Sequence, residues 1–108
     1  KTSSDNIIRD FITPPDFYNL IQAIINFKPT NTALDCYTKS PVAKFDLLFE
    51  LENKYGLRYK IDEDIGIVNA TGTKLNYYSV NKIADGIGYF PQNTSITGVV
   101  KEFELENL

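Results

Sequence analysis

The chain has 108 residues, with 11 Lys and Arg against 14 Asp and Glu, for a net charge of −3. That length allows one domain with a modest core, and the acidic balance without clustered Lys or Arg excludes a general nucleic-acid surface. There is no His, which removes imidazole acid–base catalysis and most zinc sites.

The hydrophobic content of 43% is that of an ordinary globular protein. No apolar run is long enough to span a membrane, and the polar start from Lys1 to Asn6 lacks the apolar stretch of a signal peptide. Cys36 is the sole cysteine, so no disulfide framework forms within the chain. A reducing, cytoplasmic setting is the expectation, with Cys36 a buried and inert thiol. Met is absent, and the expectation is that Lys1 is an internal position of a longer protein.

The first element is Ile7-Ile8-Arg9-Asp10-Phe11-Ile12, a short strand carrying one Arg and one Asp among apolar residues. Pro14 and Pro15 stop it, since proline cannot donate to a ladder. Thr13 is the expected N-cap of a helix with Pro in its first turn and Asp16 at the positive end of its dipole. Phe17, Leu20, Ile21, Ile24 and Ile25 recur at helical spacing and are expected to face inward. Tyr18, Asn19, Gln22 and Asn26 fall on the other face, and the helix should end near Phe27.

Ala33 to Tyr37 reads as a second short strand. Ser40-Pro41 then reads as a helix start, with Val42, Phe45, Leu48, Phe49, Leu51 and Tyr55 inward and Gly56 at the end. Leu57 to Ile61 alternates like a half-buried strand. After the acidic Asp62-Glu63-Asp64, the residues Ile65, Ile67 and Val68 suggest a strand, and Asn69 to Thr73 a loop. Leu75 to Tyr78 suggests another extended piece. Ser79 is expected to cap a short helix through Ile83 that Gly86 and Gly88 close, and Thr94 a last helix with Ile96, Val99, Val100 and Phe103 inward. Gly98 inside that helix implies a packing reason, because glycine there costs about 1 kcal/mol relative to alanine. The expected fold class is a small mixed α/β domain with about four helices and short strands.

Few constellations carry chemistry. Three adjacent carboxylates at 62–64 match no calcium loop and read as solvated. Tyr78 and Lys82 have Tyr-x-x-x-Lys spacing, but no dinucleotide-binding unit precedes them, and Gly86-Ile87-Gly88 lacks the third glycine of a phosphate-binding turn. Asn69-Ala70-Thr71 and Asn93-Thr94-Ser95 are glycosylation sequons by pattern only. Arg9 stands apart. A guanidinium among apolar strand residues either meets an anionic ligand, binding phosphate through its fork, or pairs with Asp10 or another acid.

Taken together, Ile8-Arg9-Asp10-Phe11-Ile12, Leu34 to Gly56, Ser79-Val80-Asn81-Lys82 and Gly88-Tyr89-Phe90-Pro91 with Thr94 to Val99 resemble a known family. They are similar, in order and spacing, to the C-terminal, substrate-binding part of the extended short-chain dehydrogenase/reductase family, the NAD-dependent nucleotide-sugar epimerases and dehydratases. The resemblance implies the C-terminal lobe of a Rossmann-type protein whose N-terminal dinucleotide-binding domain carries the catalytic Tyr and Lys. It implies NAD or NADP in the full-length parent, none held by this part, and no catalysis by this part alone.

It further implies that a nucleoside-diphosphate sugar is the partner and that Arg9 contacts its phosphates. Members often carry a second phosphate-binding Arg where this chain has Asn69 to Lys74, so Lys74 is the second candidate, as a point charge without the fork. The family's residues after the Arg-Asp pair are also replaced here by Thr13-Pro14-Pro15-Asp16. Self-association through an unpaired edge at Ala33 to Tyr37 is expected. No nucleic acid or membrane partner is expected. The alternative is a stand-alone binding or protein-interaction domain of the same topology, without chemistry.

Overall fold

The structure, a computed structural model, describes residues 1–62 and 75–106. The expected strand at 65–68, the loop at 69–73, Glu63, Asp64 and the candidate Lys74 lie outside the described residues. The described elements form a small mixed α/β fold of three α-helices, one 3-10 helix and a three-stranded sheet.

The sheet is short and is built on β1, Ile8–Arg9. On one side β1 pairs antiparallel with β2, Val42–Ala43, placing Arg9 opposite Val42. On the other it pairs parallel with β3, Asn76–Tyr77, placing Arg9 opposite Tyr77. The expected strand through Ile12 is cut at Arg9 for a physical reason. From Asp10 onward the chain bonds to side chains rather than to a ladder. The Asp10 carboxylate accepts from the Thr38 N–H, the Thr38 hydroxyl and the Ser95 hydroxyl, and the Phe11 N–H donates to Ser95 Oγ at 2.8 Å.

Helix α1, Pro14–Asn26, follows with Thr13 at its N-cap position and proline in its first turn, as the spacing predicts. Asp16 is fully buried, and its carboxylate accepts the backbone N–H groups of Gln92 at 2.7 Å and Asn93 at 3.1 Å. Its role is therefore larger than a dipole complement. It holds the 92–93 turn against the start of α1. The apolar face of α1 is only partly covered. Leu20 is buried, while Phe17 is 53% and Ile25 67% exposed. The covered part of the stripe centres on Leu20, which packs with Tyr37, Ala84 and Tyr89.

Helix α2, Lys44–Tyr55, begins later than the Ser40-Pro41 signal suggests. The Ser40 carbonyl accepts the N–H of Ser95 at 2.9 Å, and Val42 and Ala43 extend as the edge strand beside β1. Proline at the entrance of an edge strand removes no ladder bond, so sheet pairing overrides the helix-start signal. The start of α2 is capped from afar, by Asn6 Oδ1 accepting the Phe45 N–H at 3.1 Å. Its end is the expected one, with Gly56 left-handed at φ 70° and its N–H bonded to Glu52 O. None of its residues is buried, and Phe49, expected inward, is 60% exposed.

Ala33 to Tyr37 forms no strand, and Leu57 to Ile61 forms only an isolated bridge of Ile61 to Thr2. The end of the first segment is committed elsewhere. The Tyr37 carbonyl accepts from the Tyr89 hydroxyl, Thr38 N–H goes to Asp10, and Lys39 N–H goes to Asn93 O. These bonds seat Tyr37 in the core with Leu20, Ala84 and Tyr89, and Ala23, Leu34 and Cys36 pack around it. The Tyr37 and Tyr89 rings meet edge to face at 5.2 Å.

The short helix after Ser79 is a 3-10 helix, Ile83–Ile87, beginning where the expected one ends. Ser79 Oγ and Asn81 Oδ1 accept the N–H groups two residues on, which delays its first turn. Helix α3, Ser95–Glu106, starts behind Thr94, whose hydroxyl accepts the Thr97 N–H at 3.2 Å while Thr97 Oγ1 accepts the Thr94 N–H. Gly98 has the expected packing reason: a methyl there would lie 3.1 Å from Thr13 Cγ2. The Tyr55 and Phe103 rings, 4.4 Å apart, join the far ends of α2 and α3.

Candidate functional site

Because β1 is the central strand, its backbone is paired on both flanks, and Arg9 stands on it as an exposed side chain. Its guanidinium carbon lies 5.1 Å from the centroid of the Tyr77 ring on β3, a cation–π contact. The pairing with Asp10 that the sequence leaves open is not formed, since Asp10 is occupied by Thr38 and Ser95. Among the described residues the ion pairs within 4.0 Å are Lys1–Asp62 and Lys54–Glu50, neither involving Arg9.

Arg9 lines a cleft of about 300 Å3 between the N-terminal segment and α2. Ile7, Phe11, Leu47 and Leu48 supply its apolar wall, Thr2 and Ser3 its polar groups, and Lys44 a second cation. Among the described residues no carboxylate lines it. Lys44 Nζ is fixed by donating to the Ser3 carbonyl at 2.6 Å and the Ser3 hydroxyl at 3.1 Å. Two cations of different geometry over an apolar floor suit an anionic group attached to a less polar body.

Sequence reasoning singles out Arg9 but not Lys44. Lys44 reads as an ordinary first-turn helix residue, and only the pairing of β2 with β1 brings it to the cleft. Lys74 lies outside the described residues, so Arg9 is the one sequence-level candidate the structure places.

The other nucleophilic and acidic groups have structural surroundings. Cys36 is half-buried, its sulfur 3.7 Å from the Tyr89 hydroxyl, and burial pushes its thiol above the ordinary range. Burial, reinforced by Cys36, likewise raises the Tyr89 phenol. Tyr55, whose hydroxyl donates to Glu104 at 2.7 Å, is pushed up to about 12, mainly by that hydrogen bond. Lys82 lies over the Tyr37 ring at 3.9 Å, and Tyr78 is exposed. Asn93 of the second sequon is buried, with Lys101 donating to its Oδ1 at 2.8 Å. Among the described residues no group of three carboxylates or thiols converges on a metal position, and no helix is long and apolar enough to cross a membrane.

No protein-family model, curated protein or solved structure matches the chain.

Proposed function

We propose that the chain is the substrate-binding part of an NAD(P)-dependent nucleotide-sugar epimerase or dehydratase, a Rossmann-type C-terminal lobe, and that the Arg9 cleft receives the diphosphate. In the parent protein a sugar carbon is oxidised by hydride transfer to the nicotinamide and then reduced or rearranged. This part binds and does not catalyse. Arg9 meets the phosphates through its fork, Lys44 adds a positive charge, and the apolar wall accepts the less polar body of the ligand. Lys74 remains the second phosphate candidate. The observation that carries the reading is that Arg9, beside an apolar cleft with a second cation, makes no ion pair with a carboxylate among the described residues.

Two experiments test it. One is the reading frame upstream of Lys1, expected to encode a glycine-rich βα turn followed by a Tyr-x-x-x-Lys. An initiator Met directly before Lys1 would overturn the parent enzyme and leave the second reading, a stand-alone binding module. The other is calorimetric titration of the chain with uridine, guanosine and thymidine diphosphate sugars. Saturable binding by one class, competed by its free nucleoside diphosphate, is expected, and silence from all three overturns the cleft as a nucleotide-sugar site.

A further inference from the structure

Helix α1 has a second face whose chemistry differs from the rest of the surface. Asn19, Gln22 and Asn26 fall on one stripe of the helix. With Gln92 and Phe90 they line a cleft of about 430 Å3 in whose wall no described residue carries a charged side chain. It shares no residue with the Arg9 cleft.

The absence of charge in that wall is informative. The exposed side of α2 is laced with Asp46, Glu52 and Lys54, as a solvated helix usually is. The only charged residue of α1 is Asp16, and it is buried under the 92–93 turn. What α1 offers along this stripe is three carboxamides and the Ala23 methyl. Each carboxamide presents a donor and an acceptor in one plane.

The cleft is also preorganised. The Gln92 backbone N–H is held by Asp16 at 2.7 Å, and its side-chain Nε2 donates to the Phe90 carbonyl at 3.1 Å. Gln22 Nε2 donates to the Tyr18 hydroxyl at 2.9 Å, leaving its carbonyl oxygen as an acceptor. Phe90 is 62% exposed, an apolar ring beside four amides.

We infer that this cleft binds a neutral polyhydroxylated ligand, a saccharide, through paired amide–hydroxyl hydrogen bonds with Phe90 stacked on a sugar face. Vicinal hydroxyls match the donor–acceptor pair of a carboxamide, and the C–H face of a pyranose matches an exposed ring. The charge-free wall gives no counter-charge to phosphate, carboxylate or ammonium, which separates this site from the Arg9 cleft.

The test is a heteronuclear NMR titration of the 15N-labelled chain with maltotriose, cellotriose and mannotriose, to about 20 mM so that millimolar binding saturates. At least one sugar is expected to shift the side-chain NH2 signals of Asn19, Gln22, Asn26 and Gln92 along a saturating curve. Asn19→Ala and Phe90→Ala should each weaken that curve about tenfold, the loss of one hydrogen bond or stacking contact. Both should keep the wild-type melting temperature, and Glu52→Gln on α2 should leave binding unchanged. The inference is overturned by no saturable shift with any of the three sugars. Shifts that grow linearly over the whole surface, or that saturate away from these four amides, overturn it equally. Either failure leaves the nucleotide-sugar reading of the Arg9 cleft intact.

Discussion

Replacing Asp10 by Ala should be among the most destabilising single changes in this chain. The carboxylate accepts three donors, the Thr38 N–H at 2.9 Å, the Thr38 hydroxyl and the Ser95 hydroxyl at 2.6 Å. Thr38 is 3% exposed and Ser95 is fully buried, so these donors are shielded from water, although Asp10 itself is half-buried. Hydrogen bonds to a charged group contribute about 1.5–3 kcal/mol each. Two of the three donors have fallbacks, since Thr38 Oγ1 also reaches the Ser40 carbonyl at 2.9 Å and lies 3.4 Å from Ser95 Oγ. The Thr38 N–H has none among the described residues. The net cost is therefore about 3–5 kcal/mol, against a total of about 5–15 for a domain. At this chain length that lowers the melting temperature by about 15–25 °C. Asp10→Asn keeps one acceptor and should cost about half as much. Urea unfolding of the wild type, Asp10→Ala, Ser95→Ala and the double variant measures both cost and coupling, with the slope held constant. A cost below about 0.5 kcal/mol for Asp10→Ala, with additive behaviour in the double variant, would refute the reasoning.

Three further outcomes are expected. Gly98→Leu should destabilise by about 1–3 kcal/mol in thermal unfolding, because Thr13 Cγ2 would stand 3.1 Å from even the first added carbon. In an absorbance titration of the phenols, Tyr55 should ionise near pH 12, and Glu104→Ala should return it toward 10 by removing the hydrogen bond that raises it. Since its folded value exceeds the unfolded one, this bond contributes fully below pH 10, and its contribution is lost as pH climbs from 10 to 12. The edge at Ala33 to Tyr37, expected to drive self-association, forms no strand, so we propose the exposed apolar stripe of α1 in its place. Sizing with light scattering should show mass rising with concentration for the wild type, and Ile25→Asp should lower it. A monomer at every concentration counts against the proposal.

What could be read in the sequence was whatever depends on neighbours in the chain. The extent of α1, the glycine stop of α2, the Thr94 start of α3 and the crowding at Gly98 all follow from local spacing, caps and volume. What could not be read depends on distant partners. Ser40-Pro41 carries a helix-start signal, and the helix begins later because Val42 and Ala43 pair with β1. The strand after Ile7 stops at Arg9 because Thr38 and Ser95 take hold of Asp10. The inward face assigned to α1 is largely exposed, since periodicity marks an apolar stripe without saying what covers it. Arg9 was legible as a candidate only, a cation between apolar neighbours in sequence whose side chain is exposed beside the cleft. Lys44, Asp16 and the amide cleft were not, because their roles come from the β1–β2 pairing and the 92–93 turn.

The most direct measurement is the affinity of the chain for the nucleotide sugars proposed as its ligand, compared across wild type, Arg9→Lys and Arg9→Ala by calorimetry. If the guanidinium fork holds the diphosphate, Arg9→Ala should weaken binding at least tenfold, with Arg9→Lys between the two, because a point charge keeps the attraction and loses the paired hydrogen bonds. Equal affinities in all three proteins would contradict the account and remove Arg9 from the site.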